Sequence, residues 1–345
     1  MLKKGVWLGA AFTALAAAIV VAGGCTRKQS KEKEQKTVNV GIAVYNEKDA
    51  YISNICGYLD QEILEYEREH PEIEIRRKIA DARGSQQEQN NQIDQFISLE
   101  YDLLLVNIVD RTNAAVIIDK ASGAGIPVVF FNREPVREDI FRSEDIYYEG
   151  SDAKQSAILQ ADIIADAYEQ DPDSIDRDHD GVIQFAMLQG ESGHQDTLIR
   201  SEWVLKGLEE RGVKTEQVAS STGNWEKSQA NVIVRQWLQD YGDRIELIIS
   251  NNDDMAIGAS EALDEKANTN IQIVGIDGVE EVRRLVEEKK VLGTVLCDTQ
   301  LHARALLEFI DCLAANDGNV EELQLEDERY YMIPLSTVEE SNIQQ

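Results

Sequence analysis

Nine residues near the middle of the chain bring oxygen donors together. Asp176, Asp178, Asp180 and Gln184 occupy positions 1, 3, 5 and 9 of a loop, with Gly181 at position 6. That is the opening of an EF-hand loop, in which Val182 at position 7 offers its backbone carbonyl. Hard oxygen donors at this spacing suit calcium. The usual Glu at position 12 is missing, because Met187 stands there. A bidentate carboxylate must therefore come from elsewhere. His179 within the run is a nitrogen donor and reads as a surface loop residue.

A second set is spread along the chain. Asp49, Asn107, His194, Asp196, Arg200, Asn252 and Asp277 carry planar polar groups, and Tyr51 and Trp225 carry flat rings. A sugar has apolar C–H faces and a rim of hydroxyls that both donate and accept. Aromatic faces above and below, with carboxylates, amides and a guanidinium around the edge, answer to that shape.

Residues so far apart need a scaffold that gathers them. Val38–Val44 is a short β-branched run and reads as a buried strand. Tyr51–Tyr66 has apolar residues at helical spacing, and Ile73–Ile79 alternates as a strand does. Gln86–Leu99 (helix), Asp102–Ile108 (strand), Ala114–Ala124 (helix) and Ile126–Asn132 (strand) follow. A second series has helices at Ala153–Tyr168, Asp196–Arg211, Trp225–Asp240, Met255–Lys266, Val279–Lys289 and His302–Ala314. Its strands are Gly181–Gln189, Val213–Ser220, Ile245–Ser250, Ile271–Asp277 and Val291–Asp298. Alternation of this kind predicts two doubly wound α/β domains with parallel sheets. Ligands of such sheets bind beyond the carboxyl ends of the strands. Asp49, Asn107, Asn132, His194, Asn252 and Asp277 all fall there.

The 345 residues suit two domains, and 43% apolar residues suffice for globular cores. With 34 Lys+Arg against 64 Asp+Glu the net charge is −30. Nucleic acid is excluded as a partner, because phosphate binding needs a basic footprint. No nucleophile, base and orienter stand together among the 4 His, and neither a Walker A nor a GxSxG motif occurs. Asp/Glu pairs that imitate a glycosidase arise by chance in so acidic a chain. The chain is not expected to be an enzyme.

Met1–Lys4 carries two cations, and Gly5–Gly24 is almost entirely apolar, ending in small residues before Cys25. A basic start, an apolar run and small residues describe an export signal. The Cys that follows resembles the lipidation site of a bacterial lipoprotein. Residues 1–24 are thus expected to be removed, and Cys25 to be lipidated. Residues 25–37 form a polar tether, and the body lies outside the cytoplasm, anchored to the cell membrane. Cys56, Cys297 and Cys312 remain, so at least one is a free thiol.

The segments VFFNREP, QGESGHQD, KTEQ, ISNNDDMAIGA, IVGIDG and LGTVL resemble the bacterial galactose/glucose-binding proteins, type I periplasmic sugar-binding proteins that contain calcium. The resemblance runs from Val38 to about Thr337. It implies two α/β domains joined by a three-crossover hinge, with residues 38–146 plus 298–328 in the first and 147–297 plus 329–345 in the second. It implies a glucose- or galactose-like monosaccharide held by Asp49, Asn107, His194, Asp196, Arg200, Asn252 and Asp277. Trp225 matches the family's stacking Trp, and Tyr51 falls where the family has Phe. Cys297 falls where the family has a sugar-bonding Asn, and a thiol is a weak substitute for an amide. Glu246 matches the distant Glu that completes the calcium site, giving about 7 oxygens with Asp176, Asp178, Asp180, Gln184 and the Val182 carbonyl. The implied partner is an ABC permease, served by a monomer. The alternative is a sensory lipoprotein that reports sugar to a membrane histidine kinase or chemoreceptor.

Overall fold

The computed structural model describes residues 35–265, 270–316 and 320–343. The expected signal, Cys25 and all but the last residues of the expected tether lie outside them. The first strand already begins at Lys36, whose N–H donates to Glu72 O.

The first half runs β1 (Lys36–Val44), α1 (Ala50–Glu69), β2 (Ile73–Asp81), α2 (Gln86–Ser98), β3 (Leu103–Val106), α3 (Ala114–Ala124), β4 (Val128–Phe131), α4 (Arg137–Ile140) and β5 (Ile146–Gly150). The second runs α5 (Ala153–Gln170), β6 (Ile183–Gln189), α6 (Gln195–Glu210), β7 (Thr215–Thr222), α7 (Lys227–Asp240), β8 (Leu247–Ser250), α8 (Asp253–Glu265), β9 (Gln272–Asp277), α9 (Glu280–Glu287) and β10 (Gly293–Cys297). The chain then forms α10 (Thr299–Ile310), β11 (Tyr330–Met332) and β12 (Leu335–Glu339).

Two six-stranded sheets result, in the orders β11-β5-β4-β3-β1-β2 and β12-β10-β9-β8-β6-β7. The first is parallel throughout, and in the second only β12 runs against its neighbour. Strand alternation supplies each sheet with two apolar faces. Val38, Val40, Ile42 and Val44 pack with Leu59 and Phe309 on one side. Ala43, Leu104 and Val106 pack with Ile93 and Ile117 on the other. The second sheet repeats this, with Phe185, Met187 and Ile249 facing α5 and α6, and Ala186, Leu188 and Ile248 facing α7 and α8. Buried on both faces, such strands read as continuous apolar runs.

The chain crosses between the sheets three times, at β5 to α5, at β10 to α10, and at β11 to β12. Sheet membership thus keeps Ile146–Gly150 and Tyr330–Met332 with the first lobe, placing the crossings later than the expected breaks at 146/147 and 328/329. β5 escapes a pattern reading because the buried Glu149 interrupts its short apolar run. The last helix ends at Ile310, before a π-helical turn at Asp311–Ala315. Among the described residues no helix is long and apolar enough to cross a membrane.

Candidate functional site

In each sheet the strand order reverses beside the first strand of its lobe, and the crevice there lies at the strands' carboxyl ends. Asp49, Tyr51, Asn132, Arg133, His194, Asp196, Arg200, Trp225, Asn252 and Asp277 line one chamber between the lobes. Its free volume is about 40 Å³, room for a few waters at most.

Helix starts set most of these groups. Asp49 caps α1, with Oδ1 accepting the Ile52 N–H at 3.1 Å and Oδ2 accepting the Tyr45 hydroxyl. His194 caps α6, its Nδ1 accepting the Asp196 N–H at 3.1 Å. That bond fixes the tautomer, so Nε2 carries the ring hydrogen as a donor. Burial, then the nearby Arg133, Arg200 and Arg111, push the His194 pKa well down and keep the ring neutral. Asn252 lies at the start of α8, its Oδ1 taking the Met255 N–H and its Nδ2 reaching Trp225 O.

Arg200 is the cationic centre. It is buried, donates to Asn251 O at 2.9 Å, and pairs with Asp196 one helical turn away at 3.2 Å. Burial opposes its charge, but the carboxylates of Asp196 and Asp277 prevail and raise its pKa. Arg200 Nε is buried with no protein partner among the described residues, which leaves a donor for a bound molecule. Asp196 and Asp277 are both pushed up by burial, against the pull of Arg200.

The backbone is strained where the walls are built. Asn132, Trp225 and Asp277 have φ of 60°, 66° and 133°. Non-glycine residues there cost on the order of 1–3 kcal/mol each and concentrate at ligand sites. Trp225 therefore stands just ahead of α7, not inside a helix starting at residue 225. Its ring lies over Gly190, where an added Cβ would come within 2.1 Å of the indole, and meets His194 edge-on at 5.1 Å.

Two expected residues lie outside the chamber wall. The Asn107 carboxamide is fully buried beneath it, accepting the Tyr45 N–H and donating to Phe131 O and Asn132 Oδ1. Cys297 is buried at the end of β10, where its carbonyl accepts the Tyr51 hydroxyl at 3.3 Å. The thiol's pKa is raised by burial, so it stays protonated.

Three residues of consequence escape the sequence reading. Arg133 stacks on the Tyr45 ring at 3.4 Å and reaches across the cleft to Glu191 at 2.6 Å. Its signal was its place beside the strand-end Asn132. Asp253, fully buried, accepts the N–H groups of Gly278 and Val279 and the Thr294 hydroxyl, holding the turn that presents Asp277. Gln160 ties the ends of β8 and β9 through Ser250 O and Gly275 O. The sequence carries no local signal for either of these two roles.

The acidic loop lies apart from the cleft, ahead of β6. One oxygen each from Asp176, Asp178 and Glu246 lie within 4.8 Å of one another. Main-chain N–H groups fix them: Gly181 donates to Asp176, Asp180 to Asp176 and Asp178, and Arg177 and Gln184 to Glu246. Gln184 Nε2 holds Asp180 at 3.0 Å, and Gly181 takes φ of 80° at the turn. His179 points to Asp173 instead. The donor set, all oxygen and rich in carboxylate, fits a hard divalent cation.

Residues 40–317 match the family model of the periplasmic binding protein domain. The chain is 34% identical over 309 residues to the D-galactose/methyl-galactoside binding periplasmic protein MglB of Haemophilus influenzae, covering 88% of this chain and 90% of that one. It is 23% identical to the ribose import binding protein RbsB of Bacillus subtilis, over 68% of this chain and 70% of that one. A solute-binding protein of Bacillus halodurans, solved with myo-inositol bound, superposes with a TM-score of 0.73 at 25% identity, covering 91% of this chain and 98% of that one.

Proposed function

Since this chain belongs to the type I periplasmic sugar-binding protein family, whose members bind solutes without catalysis, we propose that it captures a glucose- or galactose-like monosaccharide and delivers it to an ABC importer outside the cytoplasm. The observation that carries this reading is the convergence of Trp225, Tyr51, Arg200 and three Asp in one inter-lobe chamber. The two rings suit the C–H faces of a pyranose. Asp49, Asp196 and Asp277 accept from its hydroxyls, while His194 Nε2, Asn252 and the unpartnered Arg200 Nε lie ready for its oxygens. Closure over the sugar presents both lobes in one orientation to a permease. The names of the relatives that import or bind galactosides and ribose support the same class. Titration calorimetry with a panel of aldoses is the test, on protein unfolded and refolded to strip any sugar. Absence of heat with every aldose overturns the reading.

The acidic loop is assigned to calcium on its donor set. Asp176, Asp178, Asp180, Gln184, the Val182 carbonyl and Glu246 would hold the ion, which would tie the loop to the start of β8. A thermal melt with and without chelator checks this, and an unchanged melt refutes it. Lipid attachment at Cys25 rests on the sequence pattern, and mass spectrometry of the mature N-terminus decides it.

A further inference from the structure

A second space adjoins the chamber at the strand ends. It is a cavity of about 260 Å³ that shares the walls of Asp49, Tyr51, Trp225, Asn252 and Asp277 with the chamber. The carboxylates of Asp49, Asp254, Asp277, Glu280 and Glu281 line it, and no Lys, Arg or His is among the described residues that do so. Another cavity, of about 300 Å³, meets the chamber through Arg133 and His194 and shares no lining residue with the first. It carries the guanidinium groups of Arg111 and Arg133. The chamber thus stands between an anionic space and one that holds fixed cations. Asp277 is the open group. It is 9% exposed, lines both the chamber and the anionic cavity, and receives no side-chain hydrogen bond among the described residues. Burial raises the pKa of Asp277 and of Asp254, and the nearby Asp49 carboxylate adds to both shifts. Arg200, from the chamber side, and Lys227, 3.2 Å from Glu281, answer only part of this negative charge.

We propose that the anionic cavity is a subsite for a cationic substituent, so that the cleft takes a hexose bearing a protonated amine in preference to the neutral sugar. The inference rests on the hexose reading above and narrows its ligand class. An ammonium beside Asp277 brings three N–H donors to a buried carboxylate that no side chain serves. Its charge relieves the mutual repulsion of Asp49, Asp254 and Asp277. The Trp225 and Tyr51 rings on the shared wall offer π faces to the same cation. A bare metal ion is a poorer match. The oxygens of Asp176, Asp178 and Glu246 converge within 4.8 Å, and those of the cavity carboxylates form no such group among the described residues. A space of about 260 Å³ suits an organic substituent instead. Arg111 and Arg133 repel an ammonium from the other cavity, so the two spaces together favour one orientation of the ligand.

Titration calorimetry on refolded, sugar-free protein tests this, at a mildly acidic pH that keeps the amines protonated. D-Glucosamine, D-galactosamine and 6-amino-6-deoxy-D-glucose are compared with D-glucose and D-galactose, and N-acetyl-D-glucosamine controls for size. At least one aminated hexose should bind about tenfold tighter than its neutral parent or better, as one charge-assisted hydrogen bond allows. The N-acetylated sugar should show no such gain. Asp254→Asn/Glu280→Gln/Glu281→Gln alters the cavity outside the chamber wall. It should bring the preference down to about threefold or less and leave neutral hexose affinity unchanged. If that variant does not fold, Glu280→Gln/Glu281→Gln changes only exposed side chains and should lower the preference by about threefold. A smaller gain with every aminated hexose, an equal gain with the N-acetylated sugar, or a preference untouched in the variant overturns the proposal while leaving the hexose reading intact. Binding of aminated hexoses alone supports it. Absence of heat with every sugar overturns both.

Discussion

Two of the molecule's acidic clusters use the same residue type in opposite ways. In the cleft, the buried Asp277 and the half-buried Asp196 lie near the Arg200 guanidinium, and loss of solvent raises their pKa. In the loop ahead of β6, the carboxylates of Asp176, Asp178 and Glu246 are wrapped by main-chain N–H groups, with one oxygen from each within 4.8 Å of the others. A carboxylate beside a fixed cation needs only hydroxyls to complete its hydrogen bonds. Three carboxylates turned on one point suit a cation, which would relieve them. Neighbours, more than the carboxylates themselves, separate the proposed sugar site from the proposed metal site.

The contrast is broken most severely by Arg200→Met. It strands Asp196 and Asp277 without their cation, at a cost of about 3–5 kcal/mol. Denaturant unfolding should show that loss, and calorimetry should find no hexose binding. Near-native stability would mean that the cleft acids do not depend on the guanidinium. Glu246→Gln strikes the other cluster. Its melt in calcium should fall to that of chelated wild type, a loss of about 3 kcal/mol at 100 times the dissociation constant. Hexose affinity should stay within about threefold, because the loop lies apart from the chamber. Gly190→Ala sharpens the sugar side by pushing a methyl into the Trp225 indole. Overpacking of about 1–3 kcal/mol should appear as weaker hexose binding, with the calcium-dependent melt shift retained. The smallest change is Cys297→Asn. An amide at the end of β10 should tighten hexose binding by an amount on the order of 1 kcal/mol. Weaker binding would show that the Tyr51 contact with the Cys297 carbonyl has rebuilt this corner for another ligand.

The two clusters were also unequally legible. The loop lies within nine residues, and spacing alone marks it; only Glu246 needed the family resemblance. The chamber draws on strand ends from both lobes, and alternation of strands and helices located most of it. Asn107 is the harder case, because a strand-end amide looks the same whether it faces the cleft or braces the layer below. Trp225 misleads because its left-handed backbone has no pattern signature, so the helix reads as beginning two residues early. Arg133 and Asp253 act through partners remote in sequence, Glu191 for one and Gly278 for the other. Their roles exist only once the sheets are assembled. The sheets were legible through β1–β4 and β6–β10, whereas β5, β11 and β12 are short or interrupted by polar residues.

Those last two strands have a consequence for how the chain is completed. β11 forms an edge of the first sheet and β12 an edge of the second, and both come from the final stretch of sequence. A ribosome releases the chain from its N-terminus, so the first lobe waits for Tyr330 even though its other strands are made by Gly150. Pairings this distant in sequence close slowly. Neither lobe is a finished unit on its own, and a chain cut short before Tyr330 loses an edge from both sheets at once.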